Sequence, residues 1–147
     1  MNNPDNVGSP GATVTVERFI AAPPGAVFDA WLDPAMLERW FFGPDCTAAT
    51  ARVDARLGGQ YSIVMKGADR DWPHTGEYLE LQRPEKLVFS WYSPSTGNER
   101  TVVTVILRAE AAGTRLLLTH NRLPPSMAGA FDKGWGELFD HLEKELG

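Results

Sequence analysis

The C-terminal part of the chain, residues 126–146, carries apolar side chains at spacings of three and four, a pattern typical of an amphipathic helix. The apolar stripe of this predicted helix consists of Met127, Phe131, Trp135, Leu138, Leu142 and Leu146. Gly134 and Gly136 flank the tryptophan, although a glycine inside a helix costs about 0.5–1 kcal/mol relative to alanine. This combination indicates close approach by a strand, a neighbouring helix or a ligand.

One strand and two short helices are predicted near the start of the chain. Residues 13–20 alternate and are rich in β-branched side chains, which indicates a strand, and Pro24 is placed to open a helix. Asp33 is placed to cap a second helix. The buried faces predicted for the two helices are Val27, Phe28, Trp31 and Leu32, and then Met36, Leu37 and Trp40.

Six further strands are predicted in the middle of the chain, where short alternating runs are separated by turn residues. They cover residues 47–53, 60–65, 76–81, 87–92, 100–108 and 114–121. The connections are too short for parallel crossovers, so we expect an antiparallel meander. The predicted fold class is therefore α+β, with a curved sheet of six or seven strands wrapped around the long C-terminal helix.

Charged residues predict which side of each strand faces water and which side faces the long helix. The residues predicted to face inward are Tyr61, Ile63, Met65, Leu87, Phe89, Trp91, Thr101, Val103, Val105, Leu107, Leu116, Leu118 and His120. For residues 76–81 the pattern leaves two alternatives open, which are Tyr78 with Glu80 or Leu79 with Leu81.

The length of 147 residues predicts a single domain over residues 13–147, preceded by a disordered tail at residues 1–12. A formal net charge of −5 argues against nucleic acid or an anionic membrane as the main partner. The sequence has neither a run of about 20 apolar residues nor a recognisable signal peptide. We therefore expect no membrane insertion and a cytoplasmic location.

Cys46 is the single cysteine of the chain, so it cannot form an intramolecular disulfide, and a reducing compartment is expected. We expect it to be a small buried side chain rather than a nucleophile. The sequence contains no Cys/His cluster, nucleophile elbow or phosphate-binding loop. Accordingly no metal, no cofactor and no catalytic residue is predicted.

Five segments taken together resemble a known family, and they are AAPPGAVFDAWLDPAMLERWF, LGGQYS, GEYLELQRPEKLVFSW, GTRLLLTH and KGWGELFDHL. Their order and spacing are similar to the family named for the C-terminal domain of the activator of the heat-shock protein 90 ATPase, within the START-related helix-grip superfamily. The resemblance covers about residues 13–146. It implies a hydrophobic cavity between the sheet, the long helix and the two small helices. In many relatives the position of Phe131 is a histidine, so the resemblance implies a more apolar cavity here.

The resemblance and the predicted facing together give the residues expected to contact a ligand in that cavity. They are Trp40, Phe41, Tyr61, Met65, Tyr78, Phe89, Trp91, Val103, Val105, His120, Met127, Phe131 and Trp135. An aromatic content of 10%, with five tryptophans, favours a concave apolar site for a small molecule. The alternative is that these side chains simply fill a packed core.

His120 is the candidate polar group inside the cavity, where it would hydrogen-bond a ligand or act as an acid or base. The alternative is a core histidine that is bonded to the protein itself. Glu80, if it faces inward, requires a cation or a proton, and its alternative is a solvated charge on an edge. His74 is expected in a solvated loop and His141 on the surface of the long helix.

Three functions remain open, and without a catalytic motif a non-enzymatic binder of a small hydrophobic or aromatic molecule is favoured. The second, implied by the family alone, is a co-chaperone-like module that contacts a chaperone or another protein. The third is an enzyme similar to the cyclases and aromatases of the superfamily, which requires an inward polar pair such as His120 with Glu80. The sequence does not distinguish a monomer from a homodimer.

Overall fold

A computed structural model describes residues 11–43 and 45–147. Its seven strands form one antiparallel sheet in the order β1-β7-β6-β5-β4-β3-β2, which confirms the predicted α+β architecture. The strands are β1 (Ala12–Ile20), β2 (Cys46–Val53), β3 (Gln60–Gly67), β4 (Asp71–Gln82), β5 (Lys86–Trp91), β6 (Thr101–Glu110) and β7 (Gly113–Leu123). The described α-helices are α1 (Pro24–Ala30), α2 (Pro34–Trp40) and α3 (Ala128–Leu146).

The sequence signal for the start of α2 is confirmed. Asp33 caps α2 as predicted, since its Oδ1 accepts a hydrogen bond from the Ala35 backbone N at 3.0 Å. Of the predicted tail, residues 1–10 lie outside the described residues, and Ala12 already belongs to β1.

The strand β4 changes its partner along its length. Its first half, up to Glu77, pairs with β3, and its second half, from Tyr78, pairs with β5. A β-bulge lies between Tyr78 and Glu80. Because of the bulge neither strict alternation holds, and Tyr78 is buried while Leu81 pairs with the inward-facing Leu87.

The start of β4 lies earlier than predicted, and the segment around Pro73 is strand rather than loop. Proline lacks the N–H that a central strand needs, so it is normally confined to edges. Here the first half of β4 pairs along its length with β3 on one side only, apart from one bridge between Thr75 and Tyr92. The expectation that His74 is solvated was therefore wrong, because its side chain is only 6% exposed.

The helix α3 presents a wide apolar face to the sheet. Trp135, Leu138 and Leu142 of the predicted stripe are buried, and Phe139 is buried with them. Phe139 was not in the predicted stripe, but it lies one turn beyond Trp135 and so belongs to the same broad face. The outer members of the stripe, Met127, Phe131 and Leu146, are half-buried.

The two glycines of α3 are not sites of close protein packing, so the strand and helix alternatives for them were wrong. A Cβ atom at Gly134 would have no neighbour within 4 Å, and one at Gly136 would meet only Arg18 Nη2, at 3.8 Å. Arg18 of β1 instead holds the helix electrostatically. It donates hydrogen bonds to the Gly136 carbonyl O at 3.2 Å, to Asp140 Oδ1 at 2.8 Å and to Glu143.

The centre of the core is an aromatic cluster around the buried ring of Trp31. Five rings lie with their centroids 4.8 to 6.3 Å from that of Trp31 in tilted or edge-to-face contacts, the favoured geometries for aromatic pairs. They belong to Trp40, Phe41, Phe89, Trp135 and Phe139. The cluster therefore joins the small helices to α3 and to the middle of the sheet.

Gly76 occupies a place that admits no side chain, so we expect Gly76→Ala to destabilise the fold. An added Cβ would lie 1.9 Å from the Ser90 carbonyl O and 2.5 Å from the Tyr61 ring, whose Oη donates to that same carbonyl at 2.6 Å. We expect a loss of about 1–3 kcal/mol in the free energy of unfolding, measured by urea denaturation. Gly129→Ala, where a Cβ meets nothing within 4 Å, is the control and should lose no stability. Equal stabilities of the two variants would contradict this account.

Candidate functional site

An apolar pocket of about 140 Å³ lies between the first half of α3 and the sheet, close to the end of α2. None of the described residues that line it is charged. The lining consists of Gly43, Met65, His74, Trp91, Ser95, Met127, Ala130, Phe131, Gly134, Trp135 and Leu138.

The helix side of the pocket exists because a glycine interrupts the apolar stripe. Trp135 and Leu138 stand on the core face of α3, while Phe131 and Met127 continue that face towards the N-terminal end of the helix. Gly134 lies between them without a side chain, and the space in front of its Cα is open. The remaining alternative for this glycine, space for a ligand, is thus the one that the geometry permits.

The sheet side of the pocket is built by inward-facing residues of three adjacent strands. Met65 lies on β3, His74 on β4 and Trp91 on β5, and all three are buried. The ring centroid of Trp91 lies 5.3 Å from that of Trp135 and 6.0 Å from that of Phe131. The Trp91 ring therefore contacts both aromatic rings of α3, and the three rings form a continuous aromatic part of the lining.

His120 sits behind this wall in a continuous chain of hydrogen bonds. Trp135 Nε1 donates to His120 Nδ1 at 3.1 Å, and an indole N–H cannot accept, so Nδ1 carries no proton. The proton of the neutral ring is then on Nε2, which lies 2.8 Å from Thr101 Oγ1. The Thr101 hydroxyl in turn donates a hydrogen bond to the Trp91 carbonyl O at 2.8 Å.

The state of His120 follows from this environment. The ring is fully buried, and burial lowers the pKa of His120 from 6.5 to about 3. A proton on Nδ1 would also face the N–H of Trp135. His120 is accordingly a neutral core histidine bonded to the protein, the alternative left open by the sequence, and it does not line the pocket.

His74 is the histidine that does line the pocket, and it was missed because Pro73 indicated a loop. Its Nδ1 lies 3.2 Å from the Ile63 carbonyl O, which only accepts, so Nδ1 carries the proton of the neutral ring. Burial lowers the pKa of His74 to about 4, more than the Ile63 and Trp72 carbonyls raise it. At neutral pH the ring is uncharged, and Nε2 is its hydrogen-bond acceptor.

The structure brings only part of the predicted ligand-contacting set to the pocket. Five members line it, and they are Met65, Trp91, Met127, Phe131 and Trp135. Four others, Phe41, Tyr61, Tyr78 and Phe89, surround a separate void of about 10 Å³, which is room for one water at most. The last four, Trp40, Val103, Val105 and His120, are wholly buried in the core.

Glu80 and His120 do not form the inward pair that the enzyme alternative requires. Glu80 Oε1 lies 3.4 Å from Lys86 Nζ, and Gln82 Nε2 donates to the same carboxylate, so Glu80 belongs to the outer face of the sheet. His141, expected on the surface, is half-buried with its ring centroid 4.7 Å from that of Phe42.

A second concavity is a larger and open cleft of about 580 Å³, lined by residues of β2, β3, β4 and β5. Its lining is polar and charged, and includes Arg52, Asp54, Glu77 and Arg100. Such a lining does not suit an apolar ligand, because a charge stripped of water costs free energy unless it is paired. The smaller apolar pocket is the better candidate site.

Two further features concern chemistry elsewhere in the described part of the chain. Burial raises the pKa of the Cys46 thiol, which therefore stays protonated and is a poor nucleophile at neutral pH. No group of three or more His, Cys, Asp or Glu side chains is placed to hold a metal ion in residues 11–43 and 45–147.

Within residues 11–43 and 45–147, no helix is both long and apolar enough to cross a membrane.

The sheet, the gripped helix and the pocket between them define a START-like helix-grip protein. The family described as activator of Hsp90 ATPase homolog 1-like protein matches residues 21–147, and the chain belongs to this family. Its fold supports a ligand-binding or co-chaperone-like module. No curated protein matches the sequence.

Solved structures of similar proteins cover nearly the whole chain. A protein from Chromobacterium violaceum has a TM-score of 0.82 at 23% identity, covering 91% of this chain and 96% of its own, which shows the shared fold. A protein from Rhodobacter sphaeroides has a TM-score of 0.79 at 25% identity, covering 93% and 95%. An HSP90 activator from Plasmodium falciparum has a TM-score of 0.76 at 25% identity, covering 93% and 97%.

The two buried histidines should make the fold sensitive to mild acid. In the unfolded chain each takes up a proton near pH 6.5, but in the folded state only near pH 4 for His74 and pH 3 for His120. The unfolded state binds more protons between these values, so stability falls as the pH is lowered from 6.5. We expect each histidine to cost about 2 kcal/mol of unfolding free energy between pH 7 and pH 5.

Urea denaturation at pH 7 and pH 5 measures this loss. His74→Gln removes one of the two groups, so the difference between the two pH values should shrink by about 2 kcal/mol, whatever the variant's own stability. An unchanged pH dependence in His74→Gln would show that this histidine is not held neutral by the fold.

Proposed function

We propose that the protein binds a small apolar or aromatic molecule in the pocket between α3 and the sheet. The observation that carries the proposal is the open space in front of Gly134, within walls that are otherwise apolar and largely aromatic. Concave apolar sites with few polar groups are the usual form of small-molecule pockets. We propose Met65, Trp91, Phe131 and Trp135 as the main contacts.

The volume of the pocket limits the ligand to about one aromatic ring. A buried apolar cavity of about 150 Å³ is known to hold a benzene molecule, and this pocket measures about 140 Å³. One ring buries about 150–250 Å² of apolar surface, which is worth about 4–6 kcal/mol before the entropy costs of binding. Burial alone would give a dissociation constant between about 1 mM and tens of micromolar, and the entropy costs make the expected binding weaker than this range.

Filling the space at Gly134 should abolish binding without harming the fold. We expect Gly134→Leu to weaken the binding of benzene at least tenfold, because the new side chain occupies the place of the ligand. Binding is measured by titration of the protein with benzene, followed by the NMR shifts of the indole N–H groups of Trp91 and Trp135. We expect the variant to keep a stability close to that of the wild type, since a Cβ at this position meets no atom within 4 Å and the remaining side-chain atoms enter the pocket of about 140 Å³.

The matched control is Gly129→Leu, in the same helix and also with open space at its Cβ, but outside the pocket. It should bind benzene like the wild type. If benzene does not bind the wild-type protein, or if both leucine variants bind it equally, the pocket is not a ligand site. Native mass spectrometry of protein from its own host would then show which natural molecule, if any, leaves on unfolding.

A co-chaperone-like role is the second candidate, and it is favoured by the family and by the similarity to the HSP90 activator from Plasmodium falciparum. In a co-chaperone-like role, the surface that contacts the chaperone would lie outside the pocket. Leu57, which is 66% exposed, is the one large apolar side chain strongly exposed among residues 11–43 and 45–147. Any such surface on these residues would therefore be mainly polar.

The two candidates are separated by the same variant. A co-chaperone should change the ATP hydrolysis rate of an HSP90 protein, and Gly134→Leu should leave that change intact because it alters only the pocket. No change in the ATPase rate at saturating wild-type protein would count against this role. A change that Gly134→Leu abolishes would instead link the pocket to the chaperone.

A further inference from the structure

The pocket is lined by a histidine whose second ring nitrogen has no hydrogen bond to a described residue. The described structure contains two buried histidines, and they differ in their bonding. Both ring nitrogens of His120 have protein partners, Trp135 Nε1 and Thr101 Oγ1. The ring of His74 interacts with backbone carbonyls, with Nδ1 at 3.2 Å from the Ile63 carbonyl O and a further contribution from the Trp72 carbonyl, and Nε2 has no described residue in hydrogen-bond geometry.

The position and protonation of the His74 ring make Nε2 a hydrogen-bond acceptor for a ligand in the pocket. The ring lies against Trp91 in an edge-to-face contact with a centroid distance of 4.8 Å, and the residue lines the pocket. Because Nδ1 carries the proton, Nε2 presents a lone pair. Nε2 is not one of the buried atoms that lack a partner, so it is accessible, and its lone pair is free to accept from an O–H or N–H group of a guest.

The rest of the lining narrows the chemistry of such a guest. No described lining residue is charged, so an ionised ligand would lose its hydration without gaining a counter-ion. The contiguous rings of Trp91, Phe131 and Trp135 offer an aromatic surface on which an aromatic guest can pack. The volume of about 140 Å³ admits a single ring.

We propose that the ligand is a neutral, single-ring aromatic molecule carrying one hydrogen-bond donor, of the phenol type, and that His74 Nε2 accepts from this donor. The proposal rests on the proposed function, because it assigns the polarity of a guest in the same pocket. His74 thereby becomes the specificity-determining residue of the site.

Phenol and fluorobenzene provide the test, because they are nearly equal in size and only phenol has a donor. Their dissociation constants are measured by NMR titration for the wild type and for His74→Phe. The ratio of the phenol constant to the fluorobenzene constant should rise about five- to tenfold in the variant, the value of one neutral hydrogen bond. Using the ratio cancels the different hydration of the two compounds and any general change in the pocket.

Ser95→Ala is the control, since Ser95 is the other polar residue of the lining. It should leave the ratio unchanged. If the ratio changes in Ser95→Ala but not in His74→Phe, or changes in neither, the assignment to His74 is overturned while the proposed function stands. If neither compound binds the wild-type protein, the proposed function fails and this inference fails with it.

A measurement on the wild-type protein keeps the proposal open to refutation even if His74→Phe does not fold. In ¹⁵N spectra of the histidine side chains, the unprotonated Nε2 of His74 should shift upfield on addition of phenol, while the signals of His120 stay in place. Fluorobenzene should not produce this shift. A His74 Nε2 signal that phenol leaves unmoved, at a concentration where phenol is bound, would overturn the proposal.

Discussion

The hydrogen-bond chain from Trp135 through His120 and Thr101 to the Trp91 carbonyl is the interaction on which the rest of the structure depends. It links the gripped helix to three neighbouring strands, β7, β6 and β5, in a region from which water is excluded. Every side-chain nitrogen and hydroxyl in this hydrogen-bond network has a partner. A buried polar network is favourable only when all of its groups are hydrogen-bonded. The helix therefore has one rotation and one height relative to the sheet.

Fixing Trp135 and Trp91 in this way also fixes two walls of the pocket. The space between helix and sheet is open at Gly134, where a large side chain is missing from the face that carries Phe131, Trp135 and Leu138. The same network makes the site less polar, because both ring nitrogens of His120 are hydrogen-bonded to the protein and are not available to a ligand. Phe131 adds a further apolar surface, and His74 is the histidine that lines the pocket.

The sequence predicted the fold well and the pocket only in part, for reasons that particular residues show. In β5, β6 and β7 charged residues mark the solvent face, so the inward facing of Phe89, Val103 and Leu118 followed from alternation alone. In β4 a bulge breaks the alternation at Tyr78, and Pro73 imitates a loop, so neither facing nor burial could be derived locally. The pocket itself depends on which side chains are absent between distant segments, and that is a tertiary property.

The two halves of α3 have different roles. The second half packs tightly against the sheet, and the first half borders the pocket. The second half is fixed by the Arg18 hydrogen bonds and by Phe139 and Leu142, which are fully buried. The first half carries Gly134 and the half-buried Met127 and Phe131, so fewer packing contacts oppose small movements there. For the proposed ligand, Trp91 and Trp135 would therefore form the rigid part of the site, and the half-buried side chains at the start of α3 would form its more adaptable part.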